Sequence, residues 1–170
     1  MAEKTRTVIV TGAARGLGQA YGWAFARQGL NVVAVDRDAL DQTMAGFAKP
    51  EDHLALPVDV ADFASVEAMV AATIEKYGGV EVLVNNAGLY GGLSGGRAED
   101  IDEGEWDRCM AVNVKGVWNC CRAVIPQMRR REGGAIVNVA SLAAVMGMPF
   151  SLHYTTSKAA VIGMTRALAR

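Results

Sequence analysis

Tyr154-Thr-Thr-Ser-Lys158 sets a phenol and an ammonium four residues apart. On a helix that spacing puts both on one face, with Cβ atoms roughly 5–6 Å apart. The lysine charge then favours the phenolate and brings a group with an ordinary pKa of about 10 towards useful basicity. Ser141, thirteen residues upstream, closes a β-branched run. Tyr-x-x-x-Lys alone is common on amphipathic helices. It gains weight from Thr11-Gly-Ala-Ala-Arg-Gly-Leu-Gly18, a glycine-rich turn between a first strand and a first helix.

In that turn Gly12 permits the reversal, while Gly16 and Gly18 let backbone and helix approach a diphosphate and the sheet. With Arg15 and Leu17 they form a candidate cradle, where a pyrophosphate meets unsatisfied N–H groups at a positive helix end. The spacing is neither that of a P-loop nor the standard G-x-G-x-x-G. Asp36 closes the second strand, where a carboxylate accepts from ribose hydroxyls and repels a 2′-phosphate. Arg15 and Arg37 pull the other way, because a guanidinium can pair with that phosphate. The carboxylate holds the decisive place, so the expected cofactor is NAD rather than NADP. Asp59 and Val60 end the third strand, placed to meet an adenine amino group and ring edge. Asp59 is equally placed to cap the helix that begins near Asp62. Asn85-Asn86-Ala87-Gly88 ends the fourth strand with residues that let a ribose lie against the backbone. Asn86, Ala87 and Gly88 are the ligand-wall candidates, and a structural turn explains Asn85 as well.

Positioning these residues takes short apolar strands alternating with helices. Residues 7–10, 31–35, 54–58, 80–84 and 135–139 read as strands, and 16–29, 38–48, 62–77, 103–131 and 152–170 as helices. Continuous apolar strands separated by helices imply a parallel sheet covered on both faces, hence a doubly wound, Rossmann-type α/β fold. The 170 residues suit a single domain. The glycine-rich stretch 88–96 falls at the carboxyl end of the sheet, where such folds bind ligands. A formal charge of −1 argues against nucleic acid or an anionic membrane as partner, and no apolar run approaches the roughly 20 residues of a membrane span. Cys109, Cys120 and Cys121 offer neither a disulfide framework nor a zinc site, so reduced thiols in a cytoplasmic protein are expected. Residues 1–6 lead straight into strand-like sequence with no leader pattern. Arg129–Arg131 read as a solvated helix C-terminus. His53 reads as a residue before a strand without chemical duty. His153, roughly 100° round the helix from Tyr154, reads as a pocket-rim or surface residue.

Taken in order, Thr11-Gly12-x-x-x-Gly16-x-Gly18, Asp59, Asn85-Asn86-Ala87-Gly88, Asn113 in Asn-Val-Lys-Gly, Ser141, Tyr154 and Lys158 resemble the classical short-chain dehydrogenase/reductases. The resemblance spans nearly the whole chain. It implies an NAD(P)-dependent oxidoreductase that interconverts a secondary alcohol and a ketone without a metal. By this resemblance Tyr154 exchanges the hydroxyl proton, and Lys158 lowers the tyrosine pKa and holds the nicotinamide ribose. Ser141 binds the substrate oxygen, and Asn113 anchors a water leading from Lys158 to solvent.

Against the family pattern, the sequence stops at Arg170 while still helical. That implies a C-terminally incomplete domain whose fifth strand lies at an apolar edge. Two other readings follow: a noncatalytic dinucleotide-binding fragment, and an NADPH-dependent carbonyl reductase. Tyr90, Leu93, Leu142, Met146, Met148 and Phe150 lie on loops able to line a moderately apolar pocket. Trp106 and Trp118 read as core or interface anchors. The family's usual contact helices, here 103–131 and 152–170, imply a homo-oligomer, a tetramer or dimer.

Overall fold

The computed structural model describes residues 5–170, so the leaderless start expected for residues 1–4 lies outside the described residues. Five strands form one parallel sheet: β1 (Thr7–Thr11), β2 (Asn31–Asp36), β3 (Leu54–Pro57), β4 (Val82–Asn85) and β5 (Ala135–Asn138). Their order is β3-β2-β1-β4-β5, with Val8 aligned to Val32 on one side and Val82 on the other. Parallel neighbours require crossovers, and helices supply them: α1 (Gly16–Arg27), α2 (Asp41–Ala45), α3 (Phe63–Tyr77), α4 (Glu103–Met110) and α5 (Val117–Arg130). A short α6 (Ala143–Met146) and the long α7 (Leu152–Leu168) follow β5. The expected doubly wound α/β architecture is present.

Side-chain alternation along the strands divides the core in two. Ile9, Val33, Val35 and Leu83 face α3, α5 and Val161 of α7. Val8, Val10, Val32, Ala34 and Val84 face the α1–α2 side, with Leu30, Leu40 and Phe47. Burial on both faces is why β1 and β2 read as unbroken apolar runs. β5 is an outer strand of the sheet, and its Val137 is half exposed.

Several boundaries differ from the sequence reading. The expected helix 38–48 contracts to Asp41–Ala45. The expected helix 103–131 is interrupted by a π-helical segment, Ala111–Gly116, between α4 and α5. Gly116 is needed there, because a Cβ would stand 2.7 Å from Val60 Cγ2. Arg131, though exposed, has partners. It donates to the Gly78 carbonyl (2.6 Å) and pairs with Glu81, which accepts from the Thr7 amide (2.7 Å), fixing the start of the central strands. His53 has a structural duty just before β3, its Nδ1 accepting from the Val32 amide at 3.2 Å.

Candidate active site

The carboxyl ends of β1, β2 and β4 open into a groove of about 460 Å³. It is lined by Gly12, Arg15, Gly16, Leu17, Asp36, Arg37, Asp59, Val60, Asn86, Ala87 and Gly88, so every expected cofactor-side residue except Gly18, Tyr154 and Lys158 comes together there. The glycines divide their work. Gly12 has φ +68, and a Cβ on it would meet Ala87 Cα at 2.8 Å. Gly18 lies tight against the Gly12 carbonyl, closing helix onto turn. Gly16 has φ +59 but open space where a side chain would be, leaving the cradle hollow. α1 begins behind Arg15 with no side-chain cap and no acidic residue in its first turn, whereas Asp62 and Asp102 cap α3 and α4. Uncapped amides facing a hollow suit an anion.

Asp36 is fixed by two amides: Ala14 donates to Oδ2 (2.9 Å) and Asp38 to Oδ1 (3.0 Å). Each carboxylate oxygen keeps acceptor capacity towards the groove. Arg15 pairs with Asp38 at 3.1 Å on the surface. Asp59 accepts from the Ala61 amide (2.9 Å), while Asp62 caps α3 through Ala64 (3.1 Å). Asn119, unforeseen in the sequence, holds Val60 by donating to its carbonyl at 2.8 Å. Asn86 turns its amide inward to the carbonyls of Thr11 and Gly12, at 3.0 and 3.1 Å, so its side chain braces the cradle from below. Asn85 is structural, donating to Asn138 across β4 and β5 at 2.8 Å.

Next to the groove is a second hollow of about 410 Å³, lined by Tyr90, Ser141, Leu142, Ala143, Met146, Gly147, Met148 and Tyr154. Tyr90 lines both. Leu93 and Phe150, expected beside the others, are not part of this lining. Ser141 accepts from the Ala143 amide at 3.2 Å, which starts α6 and leaves its hydroxyl hydrogen free for another acceptor. Tyr154 and Lys158 share one face of α7, with Nζ 6.0 Å from the phenol ring centre. Lys158 is buried and donates to the Val139 carbonyl at 2.8 Å. Desolvation lowers its pKa from the ordinary lysine value. Gly88 keeps this corner open, since a Cβ there would sit 3.3 Å from Nζ and 3.4 Å from Asn113 Oδ1.

Asn113 stands on the π-helical segment, fully buried. Its Oδ1 accepts from the Leu89 amide (2.7 Å), and Nδ2 donates to the Leu89 carbonyl and Ser157 Oγ, both at 3.0 Å. The amide side chain thus ties the loop to α7. His153 reverses its expected placement: it is completely buried, with Nε2 2.9 Å from Glu105. Among the described residues no cluster of histidine, cysteine and carboxylate side chains could hold a metal, and no helix is long and apolar enough to cross a membrane.

The sequence profile of the short chain dehydrogenase family matches residues 6–170. The chain belongs to the short-chain dehydrogenase family. Relatives of the chain include 2-(R)-hydroxypropyl-CoM dehydrogenase of Xanthobacter autotrophicus, 40% identical over 97% of the chain and 68% of the relative. A 3-oxoacyl-(acyl-carrier-protein) reductase of Staphylococcus aureus is 36% identical over 98% of the chain and 68% of the relative. The crystal structure of an NAD⁺-bound xylitol dehydrogenase superposes with a TM-score of 0.92 at 29% identity, covering 98% of the chain and 65% of that structure. The chain thus spans about two thirds of the length of the relatives it matches.

Proposed function

We propose that this chain carries the dinucleotide site and the reacting residues of an NAD-dependent oxidoreductase that interconverts a secondary alcohol and a ketone. The observation that carries the proposal is the shared wall. Tyr90 separates a groove suited to a dinucleotide from a hollow holding Ser141 and Tyr154, so a carbon bound beside the phenol lies next to the groove. The relatives include an NAD⁺-bound xylitol dehydrogenase and a 2-(R)-hydroxypropyl-CoM dehydrogenase, which supports the same reading.

Gly12, Gly16, Gly18 and the first amides of α1 would hold the pyrophosphate, Asp36 the adenosine ribose, Asp59 and Val60 the adenine, and Asn86–Gly88 with Lys158 the nicotinamide end. Bound there, the dinucleotide supplies the acceptor for a hydride from the substrate carbon. Ser141 donates its free hydroxyl hydrogen to the substrate oxygen and steadies charge as it develops. Tyr154 takes the hydroxyl proton in oxidation and returns it in reduction. Lys158 supplies the adjacent positive charge, and Asn113 holds Leu89 and Ser157 so that loop and helix keep their spacing. Leu142, Met146 and Met148 fit a moderately apolar substrate. The proposal includes a homo-oligomer, tetramer or dimer, supported by half-exposed Trp118 on α5 with Arg122 4.3 Å over its ring.

The test is NAD⁺ reduction across a panel of secondary alcohols, with Tyr154→Phe alongside. Turnover should fall roughly 10²–10⁴-fold while NAD⁺ affinity holds. Turnover that survives the substitution would remove the phenol from the reaction. The second reading, a dinucleotide-binding piece without turnover of its own, draws on the chain spanning about two thirds of its relatives. NAD⁺ binding without turnover on any alcohol would select it.

A further inference from the structure

The loop from Gly88 to Gly96 should be the loosest part of the site. It carries five glycines, three of them (Gly92, Gly95 and Gly96) at positive φ, and each glycine held in one conformation costs chain entropy. Yet Tyr90, inside this loop, lies with its ring centre 4.9 Å from that of Tyr154, tilted by 52°. An aromatic pair contributes only about 0.5–1.5 kcal/mol beyond its burial, too little to order nine residues.

The loop is tied at both ends. Asn113 grips Leu89 through amide and carbonyl. At the far end the carboxylate of Glu105, on the first turn of α4, accepts from the Ser94 amide (2.9 Å), the Ser94 hydroxyl (2.6 Å) and the Gly95 amide (3.1 Å). Its fourth partner is His153 Nε2 at 2.9 Å, one residue before Tyr154. His153 Nδ1 is buried without a partner, which fits the tautomer with the proton on Nε2, because an orphaned lone pair costs less than an orphaned N–H. A single buried carboxylate thus joins the loop that bears Tyr90 to the helix turn that bears Tyr154.

We infer that Glu105 is a positioning residue for the reaction: its carboxylate latches Ser94 and Gly95 to His153 and so holds Tyr90 against Tyr154. The inference rests on the reading of Tyr154 as the group that exchanges the proton. The latch needs an acceptor-only group. Ser94 donates twice to Oε2, and Gly95 and His153 point at Oε1, so either orientation of a glutamine would set an NH₂ against a backbone N–H.

The test uses the full chain as wild type, Glu105→Gln, Ser94→Ala and Tyr154→Phe. NMR cross-relaxation between the rings at positions 90 and 154 reads the contact without turnover, and NAD⁺ titration reads the groove. In Glu105→Gln the ring–ring cross-peak should vanish and kcat/KM for the alcohol should fall about 10- to 100-fold, with NAD⁺ affinity within twofold. Ser94→Ala, which removes one bond and keeps the buried charge, should weaken the cross-peak and lower kcat/KM several-fold. It decides the matter if Glu105→Gln does not fold. A cross-peak and kcat/KM that survive Glu105→Gln, or both surviving Ser94→Ala where Glu105→Gln is unfolded, would overturn the latch. So would a loss of NAD⁺ affinity that matches the loss of kcat/KM, since the role would then be general structure. Failure of the underlying reading looks different: Tyr154→Phe would turn over normally while the cross-peak still depended on Glu105.

Discussion

The groove over β1 and β2 and the hollow beside Tyr154 are neighbours made of opposite materials. The groove is shaped by backbone: positive-φ glycines, uncapped amides and a carboxylate pinned by two N–H groups, all set at the ends of strands whose interiors are buried. The hollow is shaped by side chains, and Leu142 and Met146 in its lining are both at least two thirds exposed. Geometry that lives in the backbone admits few substitutions. A lining of exposed side chains can change without disturbing the fold. The first region defines a ligand that many proteins can share, and the second is where one member of a family can differ from another.

The largest expected effect breaks the rigid half. Gly12→Val forces a β-branched residue to φ +68 and presses it on Ala87, which should cost about 2–5 kcal/mol of stability and abolish NAD⁺ binding. Chemical denaturation and cofactor titration together check it, and near-normal values for both would show that the turn relaxes. Asp36→Ala should erode the proposed preference for NAD over NADP by about 10- to 100-fold, because hydrogen bonds to a charged group contribute about 1.5–3 kcal/mol. Competition between the two dinucleotides is the measurement, and an unchanged ratio would acquit the carboxylate.

The core beneath both regions predicts a pH limit. Burial pushes the thiols of Cys120 and Cys121 up to about 12 and about 11. The folded state therefore keeps protons that the unfolded chain releases near pH 9, so this contribution is intact below pH 9 and lost as pH rises towards 11–12. Urea midpoints should decline above pH 9, and alkylation of the native chain at pH 8 should label none of the three buried cysteines. Smallest of all, Met146→Ala in the exposed lining should leave stability within about 0.5 kcal/mol. Apolar alcohols should bind roughly fivefold more weakly, from about 1 kcal/mol of lost burial. A stability loss larger than the KM change would blur the contrast between the two regions.

What the chain discloses on reading follows the same division. The strands show as apolar runs because both faces are covered, and the cradle shows because only glycine serves a positive φ beside a close backbone approach. Tyr154 and Lys158 show because four residues make one helix face. The latch does not show, since Glu105 and His153 are 48 residues apart and each looks like a surface residue of an amphipathic helix. The inward turn of Asn86 and the tie that Asn113 makes were equally hidden, because an amide beside a ligand and an amide bracing a loop are the same letter. The π-helical widening at Ala111–Gly116 leaves no periodic trace longer than one turn.

Tyr90 belongs to the walls of both hollows. Thermodynamic reciprocity makes such a shared wall a coupling device: by whatever factor one occupant, in moving that ring, changes the other's affinity, the other changes its affinity in return. A ligand that displaced this one phenol from either side would thereby change the affinity on the other.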